Sequence, residues 1–192
     1  MSTLSSTADD ILACARSLII AGGYNGFSYA DIAAVVGIRK ASIHHHFPSK
    51  VDLVRTLVQL YREDARAGFA ELARSAADPR EQLANYAAYW EKCIIEASDP
   101  FCVCALLASE LPALPPPVAA EVRLHFETLS AWLTSAFERG SASGLFRLAG
   151  TPQAEAETFM AIVHGGMLSA RAQDDPRLFG DITRSWLNRL AS

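Results

Sequence analysis

The stretch that most constrains this chain is IRKASIHHHFPSK, from Ile38 to Lys50, together with the segment before it. Ile43 and Phe47 stand four apart and share one face of a helix, while Lys40, Ala41, His44 and His45 turn away from it. Upstream, Ser28-Tyr29-Ala30-Asp31 has the Ser-x-x-acid form of a helix start, and Ile32, Ala33 and Val36 continue on one face. Gly37 ends that helix, because glycine takes the left-handed conformation that turns the chain sharply. So short a gap between two short helices is the spacing of a helix-turn-helix. Pro48 stops the second helix by pushing the residue before it out of the helical region, and Ser49 caps a further helix that begins at Lys50.

The order Phe27-Ser28, Asp31-Ile32-Ala33, Gly37, Ser42-Ile43, Phe47-Pro48-Ser49-Lys50 and Asp52-Leu53 resembles the DNA-binding domain of the TetR family of one-component transcriptional regulators, over residues 7 to 54. Two departures stand out. The family usually caps its recognition helix with Ser or Thr where this chain has Arg39, and carries Tyr where this chain has His44 and His46. The resemblance implies an all-α protein with a helix-turn-helix DNA-binding domain at residues 1–49 and a helical ligand-binding and dimerisation domain at residues 50–192. Carried onto this chain, the DNA-binding residues are Ser28, Arg39, Lys40, Ala41, Ser42, His44, His45 and Lys50.

Charge and composition agree with that division. The net charge is −4, yet residues 1–50 hold four basic and three acidic residues while the remainder holds thirteen basic and eighteen acidic, so a near-neutral N-terminal module precedes an acidic body. Met1 to Thr7 carries no basic residue, so phosphate affinity rests on Arg39, Lys40, Lys50, hydroxyls and helix N-termini. That stretch also lacks the apolar core of a signal peptide, and no run of about 18 apolar residues could span a membrane; the expected location is the cytoplasm. The 51% hydrophobic content points to extensive burial between helices or subunits.

Helical periodicity runs through the rest. A first helix starts at Thr7, with Asp9 and Asp10 near its positive end, and Gly22-Gly23 terminates it; Tyr24 and Phe27 fill the junction that follows. A long helix runs from Lys50 to about Ala76, a lever from the DNA module into the body. Further helices are expected at 80–98, 101–111, 119–139, 153–172 and 176–190, with breaks at Asp78-Pro79 and Asp99-Pro100, a stiff connector at 112–117 and a loop at 140–151. The family resemblance places a dimerisation bundle on the helices at 119–139 and 152–172, where Gly165, Gly166, Ser169 and Ala170 permit close approach.

Two recognition helices about 34 Å apart read successive major-groove faces, so a homodimer on a palindromic operator is the expected DNA complex. Lys40 and Ser42 are suited to base or phosphate contacts, and a protonated His44 to phosphate. Consecutive helical residues are about 100° apart, so His44, His45 and His46 do not converge on one metal ion. No Gly-rich phosphate loop, HExxH or GxSxG is present, and neither enzymatic activity nor a metal or cofactor is expected. The resemblance places Tyr61, Tyr86, Tyr89, Trp90, Cys93, Phe101, Cys102, Phe126, Met160 and His164 on the helices that surround an effector pocket, suited to a largely apolar or electrophilic small molecule. An alternative is thiol sensing of electrophiles or oxidants at Cys102, two residues after Pro100, where a helix start would lower the thiol pKa. A small helical enzyme or metal-binding protein that has kept a helix-turn-helix is a more distant rival.

Overall fold

The computed structural model describes residues 6–98 and 100–190. Most of the N-terminal stretch without basic residues (1–5), and Asp99 of the Asp99-Pro100 break, lie outside the described residues.

Among the described residues the chain forms nine α-helices and no strand. They are α1 (Thr7–Gly22), α2 (Tyr29–Val36), α3 (Lys40–His46), α4 (Lys50–Ser75), α5 (Pro79–Ile95), α6 (Val103–Ser109), α7 (Pro116–Ala142), α8 (Pro152–Gln173) and α9 (Arg177–Leu190), with 3-10 turns at Tyr24–Gly26 and Leu111–Ala113.

One local device recurs at the helix starts. Ser6 and Asp9 at α1, and Ser28 and Asp31 at α2, form reciprocal capping boxes. At α4 the Ser49 hydroxyl accepts the Asp52 N–H at 3.1 Å and donates to the Asp52 carboxylate at 2.6 Å. Asp78 caps α5 through the Glu81 N–H, and Thr151 caps α8 through the Ala154 N–H. Each cap satisfies an N–H that has no partner inside its helix, typically worth about 1 kcal/mol. Gly37 ends α2 at φ +75°, ψ +30°, the left-handed turn expected of it.

Three boundaries differ from the sequence reading. The stiff connector at 112–117 is instead a 3-10 turn followed directly by α7, whose first turn contains Pro116 and Pro117. Pro115 O accepts the N–H groups of Val118 and Ala119, and prolines in a first turn lose no helical hydrogen bond. Gly140 lies inside α7 rather than opening a loop. A Cβ there would overlap the Phe146 ring, which folds back onto the helix while Leu145 and Phe146 donate their N–H groups to Gly140 O. Finally, α5 begins at Pro79 and ends at Ile95, just before Ala97 at φ +51°.

The chain divides into two compact units, Met1–Glu63 with Cys102–His125, and Asp64–Phe101 with Phe126–Ser192. In the first, α1 packs against α2, α3 and α6. Ile11, Ile19, Ile32, Ile43, Leu53, Val58, Val103 and Leu107 are fully buried there. In the second, α9 packs on α8 and α5, around Leu83, Leu133, Phe137, Phe159 and Phe179. Helix α4 is continuous and supplies residues to both units.

Candidate nucleic-acid interface and effector site

Helix α3 is anchored by its apolar edge. Ile43 is fully buried and Phe47 nearly so, while Arg39, Lys40, Ala41, His44 and His45 are exposed and Ser42 is half-buried. Tyr29 on α2 fastens the end of α3. Its hydroxyl donates to Phe47 O at 2.9 Å, and its ring meets His44 edge-on at 4.8 Å. Burial, and secondarily the Asp52 carboxylate, push the Tyr29 pKa up to about 12, so this hydroxyl remains a donor. His44 Nδ1 lies 3.2 Å from Pro48 O. Unlike its neighbours, α3 has no side-chain cap, since Arg39 occupies the cap position. Ser28 is exposed, but its hydroxyl is engaged with Asp31 and the Ala30 N–H.

Lys50 is placed differently from the other basic residues. Its ammonium donates to Phe27 O and lies over the Phe27 and Tyr24 rings, 4.0 and 4.9 Å from their centroids. Burial lowers its pKa from the ordinary lysine value, opposed by Asp31 and Glu110. Glu110, at the end of α6, accepts the Tyr24 N–H at 2.8 Å. Gly23, at φ +76°, leaves room for that carboxylate, because a Cβ there would fall on it. Glu110, Gly23 and Tyr24 thus tie α6 to the junction between α1 and α2.

The effector candidates fall into separate groups. In the first unit, Tyr61 and Cys102 meet, the phenol donating to the thiol at 3.4 Å. Around them stand His125, its ring 5.2 Å from that of Tyr61, and the Arg16 guanidinium, 5.0 Å from the Tyr61 centroid. Arg62 pairs with Glu121 at 3.1 Å, and Gln59 donates to the other oxygen of the same carboxylate at 2.7 Å. Cys102 does stand at the N-cap of α6, yet it is 1% exposed and Cys104 is fully buried. Burial raises the Cys104 pKa well above the ordinary thiol value, with the Cys102 thiol adding to the effect. Such surroundings favour the neutral Cys104 thiol over its thiolate.

In the second unit, Phe126 meets His164 edge-on at 5.3 Å. Phe126 and Met160 line a cleft of about 640 Å³ between α7 and α8, alongside Ser130, Thr134, Glu138 and Glu157. Tyr86 packs into an aromatic cluster with Trp132, Phe69 and Phe159, in which Phe69 and Trp132 stack at 4.5 Å. Trp90 and Cys93 are buried, Tyr89 is 53% exposed, and Phe101 lies beneath the Arg171 guanidinium. Trp90 Nε1, Trp132 Nε1 and His164 Nε2 are buried without a hydrogen-bond partner.

Several residues of these groups escaped the sequence reading. His125 is 4% exposed, and its position three after Val122 and four before Leu129 marks the buried face of α7. Arg16, Glu110 and Glu121 carry no local signal, since their partners are distant in the chain. Among the described residues, no three of His, Cys, Asp and Glu are grouped to hold a metal ion, and no helix is long and apolar enough to cross a membrane.

Comparison with known proteins agrees with this architecture. Residues 11–57 match the family described as bacterial regulatory proteins, tetR family, and residues 79–186 match the tetracyclin repressor-like C-terminal domain. A TetR-family transcriptional regulator from Agrobacterium tumefaciens superposes with a TM-score of 0.94 at 63% identity, over 96% of this chain and 97% of that one. A TetR regulator from Legionella pneumophila superposes with a TM-score of 0.89 at 26% identity over the whole of both chains. The HTH-type transcriptional regulator CymR of Pseudomonas putida is 32% identical over 69 residues, 35% of this chain and 34% of that protein, so the match spans about a third of that curated relative. With both its helix-turn-helix and its C-terminal helices matched, the chain belongs to the TetR family of bacterial transcriptional regulators.

Proposed function

We propose that this regulator is a cytoplasmic homodimeric repressor that grips a palindromic operator with α3 and lets go when a small molecule occupies its C-terminal domain. The observation that carries the reading is the two-sided character of α3, where Ile43 and Phe47 are sunk in the core and Lys40, Ala41, His44 and His45 face out. On this reading Lys40 and Ser42 reach base edges or phosphate, and Arg39, His44 and His45 contact phosphate. Ser28 contributes its capped helix end, and Lys50 holds the Tyr24–Phe27 junction from which α2 and α3 are presented. Residues 1–49 form the DNA-reading domain and 50–192 the effector and dimerisation domain.

Support for a second copy comes from α8. Gly166 and Ala170 are buried inside the chain, and a Cβ on Gly166 would lie 3.2 Å from Phe179. Gly165 instead faces open space beside Leu168, which is 59% exposed. A small residue next to an exposed large apolar one suits close approach of a partner helix.

For the effector, Phe126, Met160 and His164 form the nearest grouping to a small-molecule wall, with buried indole and imidazole nitrogens able to meet an acceptor on the ligand. Such a ligand shifts DNA affinity only by binding one conformation more tightly than another. The continuous helix α4 is the natural carrier of that change.

The test selects duplexes from a random-sequence pool with the intact protein, then measures anisotropy against a scrambled duplex at several salt concentrations. Sequence-selective binding that weakens linearly in log salt is expected, and Lys40→Ala should reduce the salt slope by about one per half-site. Leu168→Glu should yield a monomer by light scattering. Absence of any selected sequence would refute the reading.

A further inference from the structure

We propose that His44 makes operator binding depend on proton uptake, because a backbone carbonyl beside one ring nitrogen selects which of the two carries the hydrogen. The inference rests on the DNA-reading role given to α3 above and adds a regulation to it.

His44 Nδ1 lies 3.2 Å from Pro48 O. A backbone carbonyl only accepts, so this contact is a hydrogen bond when Nδ1 donates. A neutral imidazole has one N–H, and here that hydrogen is committed to Pro48. Nε2, across the ring, is then a bare acceptor. The Tyr29 ring, edge-on at 4.8 Å, holds the imidazole in this orientation.

A phosphate oxygen also offers only lone pairs. Neutral His44 therefore meets phosphate lone pair to lone pair, whereas the imidazolium presents an N–H and a positive charge. A tyrosine at this position would offer a hydroxyl that donates at every physiological pH, whereas a histidine committed to Pro48 offers phosphate a donor only after a proton is bound.

The charged and titratable groups around this face come from three helices. On α2, Tyr29 stays neutral and supplies a ring and a hydroxyl held by Phe47 O, and the Asp31 carboxylate stands within electrostatic reach of Lys40. On α4, Asp52 acts on Tyr29, and Lys50 is held by Phe27 O. On α3 itself, Lys40 lies one turn before His44, with Arg39 ahead of it and His45 beside it. A DNA phosphate adds a further negative charge next to the ring, so the complex binds the proton more tightly than the free protein does. Linkage then makes affinity rise as pH falls through the range where imidazole titrates, with one proton taken up per half-site.

The experiment measures anisotropy of the full chain on a duplex selected from a random pool, and on a scrambled duplex, from pH 8 to pH 5.5 at constant salt. The expected result is tightening on the selected duplex of about tenfold per half-site, the equivalent of one pKa unit for each imidazole. His44→Tyr and His44→Gln should flatten the pH profile, while His46→Gln, on an exposed residue given no DNA contact, should keep its slope. A slope unchanged by both His44 substitutions would overturn the inference and leave DNA binding standing. Affinity that falls with falling pH and flattens in His44→Gln would also overturn it, since neutral Nε2 would then be accepting from a base amino group. Failure to prefer any selected duplex at any pH would remove the DNA-reading role and this inference with it. Long-range nitrogen–proton NMR of the free protein at pH 8 reads the tautomer directly: a hydrogen on Nδ1 is expected, and one on Nε2 would refute the mechanism.

Discussion

The two compact units of this regulator are held together by different means. In the first, short polar devices set where α1, α2 and α4 start. Ser28 with Asp31 and Ser49 with Asp52 do so from within four residues, and Tyr29 pins α3 with a single hydroxyl. In the second, large rings do most of the work. Tyr86, Trp132, Phe137, Phe159 and Trp186 come from four helices and interlock edge-on or stacked. The first arrangement packs aliphatic side chains inside and leaves the polar face of α3 exposed. The second packs aromatic rings around buried indole nitrogens.

Substitutions can sharpen that contrast, beginning with the second unit. Phe159 is fully buried among Tyr86, Phe137 and Trp186. Phe159→Ala should cost about 3–5 kcal/mol in urea unfolding, the usual penalty for emptying an aromatic site that collapses only partly. A loss below about 1 kcal/mol, within the range of surface changes, would mean the ring cluster is not what stabilises this unit.

Next in size is Gly23→Ala. The backbone at φ +76°, ψ −174°, a region essentially reserved for glycine, costs a Cβ-bearing residue about 1–3 kcal/mol, and the methyl would evict the Glu110 carboxylate from the Tyr24 N–H. Glu110→Ala alone removes only the hydrogen bond. The double variant should be less destabilised than the two single losses added together, and strict additivity would show that Gly23 and Glu110 are not coupled.

Tyr29→Phe isolates a single hydroxyl and should cost about 1 kcal/mol, leaving Phe47 O without its donor. It should also change the alkaline limb of stability. The folded-state pKa of Tyr29 is raised to about 12 against 10 for the free side chain, so its contribution is complete below pH 10 and lost as pH rises toward 12. Chemical denaturation across that window should show the loss in the parent chain and a shallower one in Tyr29→Phe.

The smallest effect belongs to the caps. Ser28→Ala and Ser49→Ala should each cost about 1 kcal/mol or less. The Asp31 pKa, lowered by its bonds to Ser28, should rise in Ser28→Ala, as carboxyl NMR titration would show. An unchanged Asp31 titration would mean that the capping box does not persist in solution.

How much of this was legible beforehand depends on the range of each interaction. The caps, the Gly37 turn and the buried pair Ile43 and Phe47 are written within a few residues of one another. The PALPPP segment misled because its prolines suggested a spacer, whereas two of them occupy a first helical turn where their missing N–H groups cost nothing. Gly140 misled for the opposite reason, since its lack of a side chain serves Phe146 and not a break in the helix.

By itself, then, the sequence determined the all-α class, the helix-turn-helix and the outward face of α3, because helical periodicity and end-capping act over one or two turns. Tertiary structure alone decided that the Lys50 ammonium is drawn onto Phe27 and Tyr24, that Glu110 fills the space left by Gly23, and that Cys102 and Cys104 lie buried, with the Cys104 pKa raised. It also separated Gly165, which faces outward, from its inward neighbour Gly166. Those outcomes depend on which distant side chain arrives beside each group, and burial and electrostatic environment exist only once the chain has folded.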